Sequence, residues 1–213
     1  MREVIKKVYK FDELSSEAQG KVIQDYIEGI NWDVESEYIL EDFKDSLREL
    51  GYPDEDVQFS LSHNQGDGVA FYGLVDVSHV AKRLLTESDY KFLMDVRDEI
   101  NLQYAIVRNQ YGYHYSHYNT MDIEMELESY SDRIDFDDYE DDDVEEELSS
   151  KIEEIAYELK ELIKDDIKDV SKELEKYGYD YIDDVTNEDN VKQHLLSEYG
   201  DFEYYENGKL FVG

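Results

Sequence analysis

Carboxylates are the reactive groups this chain has in excess. Their densest run is Asp132 to Glu147, SDRIDFDDYEDDDVEEEL in its setting, where eleven of sixteen side chains are acidic and only Arg133 opposes them. Like charges this close repel one another and destabilise any compact state that holds them, so the run calls for a cationic partner more than for a role in the fold. Just before it, Asp122, Glu124, Glu126 and Glu128 alternate with Met121, Ile123, Met125 and Leu127. Side chains of a strand alternate faces with a period of two, so these four acids would share one face at intervals of about 7 Å. Such a row on a rigid sheet can stand in for backbone phosphates, although a solvated sheet face that is merely acidic has the same pattern. The candidate partner-binding set is Asp122, Glu124, Glu126 and Glu128, then Asp135, Asp137, Asp138, Glu140, Asp141, Asp142, Asp143, Glu145, Glu146 and Glu147, with Tyr130 and Tyr139 as aromatic anchors among them.

Other chemistry finds less support. His114 and His117, joined by His63 or His79, have the residue type for a transition metal. Three-residue spacing in a strand places the first two on opposite faces, however, and the chain has no cysteine to help. Neither Asp135-x-Asp137 nor Asp141-x-Asp143 continues into a calcium loop, because the sixth-position glycine and an in-frame bidentate Glu are missing. No Walker loop, nucleophile elbow or Ser/His/Asp order stands out, and so many acids make any one carboxylate pair uninformative. The chain therefore reads as a binding protein rather than an enzyme, with no cofactor.

Composition narrows the partners. Of 213 residues 56 are acidic and 21 basic, a formal charge of −35 that repels nucleic acid and anionic membranes and attracts basic surfaces. Direct nucleic-acid binding is excluded on this ground. The lack of cysteine removes disulfides and thiol nucleophiles. With no signal-peptide core and no apolar run near about 18 residues, the expected location is cytoplasmic, with no membrane span. The 20 tyrosines suit an interface, as large amphipathic surfaces, but they equally suit strands.

Positioning these groups needs a scaffold. LSSEAQGKVIQDYIEGI reads as a helix with Ser16 and Gln19 at capping-box spacing and Ala18, Val22, Ile23, Tyr26, Ile27 and Ile30 on its apolar face. A second helix is expected over Asp33 to Leu50, with Val34, Tyr38, Ile39, Phe43 and Leu47 in its stripe, stopped by Gly51 and Pro53. Val57 to Val77 predicts a hairpin, with Gly66 and Gly68 supplying positive φ for a tight turn around Asp67. A helix over Ser78 to Asn101, interrupted near Thr86, precedes strands from Tyr104 to Glu128. From Val144 to Tyr177 apolar residues recur by threes and fours, predicting one helix of about 34 residues, roughly 50 Å long, ended by Gly178. Its apolar stripe serves either the core or a seam for a partner or homodimer. A helix near Glu188 to Tyr199 and a terminal hairpin at Asn207-Gly208 complete the chain. The expected architecture is a single α+β domain over residues 1–213, an antiparallel sheet of hairpins packed with several helices, in which the acidic segment 132–147 joins the sheet to the long helix 143–177.

The segments FDELSSEAQGKVIQDY, NQGDGVAFYG and YHYSHYNTMDIEME resemble an uncharacterised group of small acidic proteins of bacteriophages and integrated elements. In that group a helix beginning F-x-E-L-S-x-x-A is followed by S-x-x-Q-G-D-G-x-x-F and later by an H-x-Y-x-H-x-Y strand. The likeness runs in order over roughly residues 8 to 130. It implies a mobile-element origin and a host defence enzyme as target, and it carries no catalytic residues across. Together with the charge, it leads to an expected function: a phage-encoded inhibitor that imitates DNA and blocks the basic groove of a host nuclease, restriction enzyme or CRISPR effector in the bacterial cytoplasm. The alternative is an antitoxin-like or other protein-binding module that uses its Tyr-rich strands or its helix seam. A third reading, an enzyme acting on a small molecule through the Gln65–Gly68 turn beside His63, Asp67 and His114, has the least support.

Overall fold

The structure, a computed structural model, describes residues 5–109, 116–129 and 142–212, and of residues 129 and 142–146 the backbone alone. In chain order the elements are α1 (Ser16–Glu28), α2 (Trp32–Leu50), β1 (Asp56–Ser60), β2 (Gly68–Leu74), α3 (Val77–Leu84), α4 (Glu87–Asp95), β3 (Ile100–Arg108), β4 (Met121–Ser129), α5 (Asp142–Thr186) and α6 (Glu188–Glu198). The four strands form an antiparallel sheet in the order β1-β2-β3-β4, so the protein is α+β with a long C-terminal helix. The residues gather into two compact units, Met1–Tyr38 with Gly178–Gly213, and Ile39–Tyr177.

In the first unit the core is Phe11, Leu14, Ala18, Val22, Ile23, Val191, Leu195 and Tyr204, drawn from α1, α6 and the segments around them. The cap of α1 is Ser15 rather than Ser16: its hydroxyl accepts from the Ala18 amide. Gln19 has a different task from the one its spacing suggests, since its amide donates to the carbonyls of Phe11 and Leu14 and so ties the approach segment to the helix. The terminal hairpin forms around Asn207-Gly208. Gly208 has φ +82°, Tyr205 N donates to Lys209 O, and Tyr204 also exchanges backbone bonds with Tyr9.

The second unit holds the sheet. Ile39, Phe43 and Leu47 of α2 are buried, whereas Val34 and Tyr38 are exposed, so the helix's apolar stripe is buried only along its C-terminal half. Gly51 stops α2 as the spacing predicts, at φ +80°, with Tyr52 N on Leu47 O and Gly51 N on Arg48 O. Thr86 likewise breaks the middle helix and caps α4 through the Asp89 amide. The expectation that this helix reaches Asn101 is incorrect: α4 ends at Asp95, and Ile100 already pairs with Ser129 across β3 and β4.

The long helix needs the largest correction. α5 runs 45 residues to Thr186, straight through Gly178. A glycine inside a helix costs only about 1 kcal/mol relative to alanine, too little to end a helix whose apolar positions pack on both sides of it. Ile155, Leu159, Ile163, Ile167, Val170 and Leu174 are buried, so the stripe serves the core. Polar ties set its register on the sheet, with Tyr104 Oη donating to Ala156 O and Ser171 Oγ to Val69 O. A third tie is the Arg83 guanidinium, which grips Asp166 with two bonds of 3.0 and 2.7 Å while lying over the Tyr52 ring.

Candidate functional site

β4 pairs with β3 over nine consecutive residues without a bulge, from Ile100↔Ser129 to Arg108↔Met121. Because the ladder is regular, the alternation written in the sequence becomes a real division of faces. Met121 and Ile123 are buried and Met125 and Leu127 half-buried, while Asp122, Glu124, Glu126 and Glu128 are all exposed. The residues across from the four acids are Val107, Ala105, Gln103 and Asn101. None is a cation, so the strand that holds the row in place does nothing to neutralise it. Salt bridges are absent from all four acids among the described residues, although Asp122 Oδ1 accepts from the Ile123 amide.

Glu124 and Glu126 edge a shallow depression of about 560 Å³, whose other walls include Leu74, Gln103 and Lys160. Leu74 is 66% exposed, an apolar foothold beside the acids. Lys160, on α5, is the one cation among the described residues of the lining. Elsewhere on α5, Lys168 pairs with Asp165 and Lys172 with Asp169, three residues away on the same helix. Carboxylates at every second strand residue give one charge per about 6.8 Å, half the density of a single DNA strand at about 3.4 Å per phosphate. The row therefore needs neighbouring acids to reach the density of nucleic acid.

Those neighbours lie partly outside the described residues. Tyr130, Asp135, Asp137, Asp138, Tyr139, Glu140 and Asp141 fall there, as does His114. Asp142, Asp143, Glu145 and Glu146 belong to the first turns of α5, and Glu147 follows as an exposed side chain.

The Gln65–Gly68 turn is built differently from the expectation. The β1–β2 connection is a loop of residues 61–67, not a tight turn, although Gly66 and Gly68 do take positive φ, of 109° and 149°. Asp67 is 7% exposed and acts as the hub of its own loop. Its carboxylate accepts from Ser60 Oγ at 2.7 Å, Ser62 N at 2.7 Å and Asn64 N at 2.8 Å. A carboxylate so engaged organises backbone rather than presenting itself to a substrate.

His117 Nδ1 accepts from the Asn119 amide, and burial holds the imidazole below its usual pKa, with Glu175 acting against this and Lys172 with it. No group of three or more His, Asp or Glu is placed to hold a metal ion among the described residues. No helix among them is long and apolar enough to cross a membrane. Several tyrosines serve the fold: Tyr104 and Tyr204 are buried, and the Tyr72 hydroxyl lies 2.9 Å from Thr120 Oγ1.

Sequence reasoning missed one constellation altogether. Tyr26, Glu35, Asp184 and His194 line a cavity of about 210 Å³ in the first unit. Nothing local could have revealed it, since Glu35 meets Tyr181 across 146 positions of chain. Among known proteins, a family described as a domain of unknown function (DUF8835) matches residues 36–184. No curated protein and no solved structure matches the chain.

Proposed function

The chain belongs to the DUF8835 family, and we propose that it is a non-enzymatic inhibitor from a mobile element, using its acidic sheet face to occupy the nucleic-acid groove of a basic host protein. One observation carries this reading: four exposed carboxylates in register on a regular strand, with no cation facing them across the ladder. A fold gains nothing from such a row, whereas a groove shaped for phosphates gains charge complementarity and steered association. The formal charge of −35 extends the attraction beyond the row, and the acids of 135–147 follow it directly in sequence. The target class is a nuclease, restriction enzyme or CRISPR effector, and the site of action is the bacterial cytoplasm. Burial of the α5 stripe disfavours the seam as a docking surface. The alternative reading, an antitoxin-like binding module, is left with the Tyr-rich strands.

The test is affinity capture from a bacterial lysate at low salt, followed by elution with nucleic acid. Retention of a nucleic-acid-binding protein that the competitor displaces is the expected result. A partner that ignores the competitor refutes the reading.

A further inference from the structure

The first unit contains a cavity that the acidic sheet face does not explain. It opens where α1, the first turn of α2, the end of α5 and α6 converge, and its volume is about 210 Å³, room for about seven waters at their liquid volume. Ile30, Val185 and Val191 give it apolar walls, and the Tyr26 and His194 rings meet edge to face at 5.6 Å along another side. Two carboxylates complete the lining, Glu35 half-buried and Asp184 exposed at the rim. Each is held by a neutral donor: Tyr181 Oη gives a 2.6 Å bond to Glu35 Oε2, and Asn190 Nδ2 a 2.6 Å bond to Asp184 Oδ1. Neutral donors fix both groups without cancelling their charge, and the lining includes neither lysine nor arginine among the described residues. The lining thus combines two carboxylates fixed by hydrogen bonds, two aromatic rings and three aliphatic side chains in a volume fit for a ligand of about ten heavy atoms.

We propose that this cavity binds a small organic cation, an ammonium or guanidinium group carried on a short aliphatic chain. The carboxylates take the cationic head, Tyr26 adds a π face, and the isoleucine and valines take the methylenes. A bare divalent ion is a poor occupant, because among the described lining residues only two are carboxylates and half the remainder are aliphatic. The same chemistry has two sources, a free diamine and a lysine or arginine side chain of a protein partner. The proposal does not depend on the function assigned to the sheet face, since no residue of β4 lines this cavity.

Titration calorimetry of the full chain in 150 mM NaCl tests it, with 1,4-diaminobutane and agmatine as free amines, N-acetyl-lysine methylamide as the side-chain mimic, and magnesium chloride as the charge control. The expected result is saturable binding of one equivalent of an organic cation that magnesium does not reproduce, with the His194 imidazole resonances shifting in NMR. Glu35→Gln and, separately, Asp184→Asn should each weaken it at least tenfold while far-UV circular dichroism stays native, and Glu153→Gln, at an exposed acid of α5 remote in sequence from the cavity lining, should leave it unchanged. Preference for the free amines assigns the site to a metabolite, and preference for the capped lysine assigns it to a partner protein. Absence of saturation with all three organic probes, equal binding by magnesium, or an affinity that both cavity variants retain would overturn the proposal.

Discussion

Neutralising the carboxylates of β4 should leave the fold's stability almost untouched, and the size of that near-zero effect can be worked out. Consider the triple variant Glu124→Gln, Glu126→Gln, Glu128→Gln. Two carboxylates about 7 Å apart in water repel by about 0.6 kcal/mol unscreened and by about 0.25 kcal/mol at physiological ionic strength. Three neighbouring pairs, counting Asp122 with Glu124, therefore hold about 0.7 kcal/mol in the folded strand. Residues two apart in sequence stay close in the unfolded chain as well, so most of this repulsion is common to both states and cancels from the stability. On the attractive side little is lost, because none of the three glutamates has a salt bridge among the described residues and the residues across the ladder are Ala105, Gln103 and Asn101. The expected change is within about 0.5 kcal/mol, as for surface substitutions that touch no special feature. Urea unfolding followed by circular dichroism at 10 and 150 mM NaCl measures it. A loss above about 1 kcal/mol at either salt would show that these carboxylates stabilise the fold, and the claim that they are surplus to it would fall.

Substitutions at structural positions should behave in the opposite way. Asp67→Ala removes the acceptor for three bonds of a nearly buried loop and should cost about 2–4 kcal/mol in urea unfolding, with Asp67→Asn between it and wild type; a silent Asp67→Ala would reopen a chemical role for the turn. Gly51→Ala forces a side chain onto φ +80° and sets its Cβ 2.8 Å from His79 Cβ, so a loss of about 2–4 kcal/mol is expected from the same assay, and a neutral result would contradict the cap geometry. The Tyr177 hydroxyl donates to Asp42 at 2.5 Å, and this bond, with burial second, raises its pKa to about 12. A raised folded pKa favours the neutral phenol in the fold, so the difference in stability between wild type and Tyr177→Phe should be constant below about pH 10 and shrink as pH rises toward 12. A difference unchanged across that range would exclude the bond.

Elements whose cause is local could be read from the sequence, and those whose cause is tertiary could not. The division of β4 into an apolar and an acidic face follows from a period of two, and the ladder merely preserves it. Gly51 and Thr86 stop helices through backbone conformation and a cap, which are properties of a few adjacent residues. Gly178 looked like the same kind of stop, but it sits inside a helix whose ends are set elsewhere: Thr186 closes α5 on the Ile182 carbonyl, and Asn187 caps α6. The Asp67 loop was misread for a related reason, since a buried side chain that gathers three donors allows a longer connection than glycine spacing suggests. The Arg83–Asp166 grip and the cavity around Glu35 join residues far apart in the chain, which only the folded packing brings together.

The central claim is that the β4 face binds by charge. It is tested most directly by the affinity of the captured partner as a function of salt, for wild type beside Glu124→Lys, Glu126→Lys. Wild type should lose affinity steeply and linearly on a log–log plot, and the reversed variant should bind far more weakly at low salt with a shallower slope. Equal affinities and equal slopes for the two proteins would contradict the account and leave the acidic face as solvated surface.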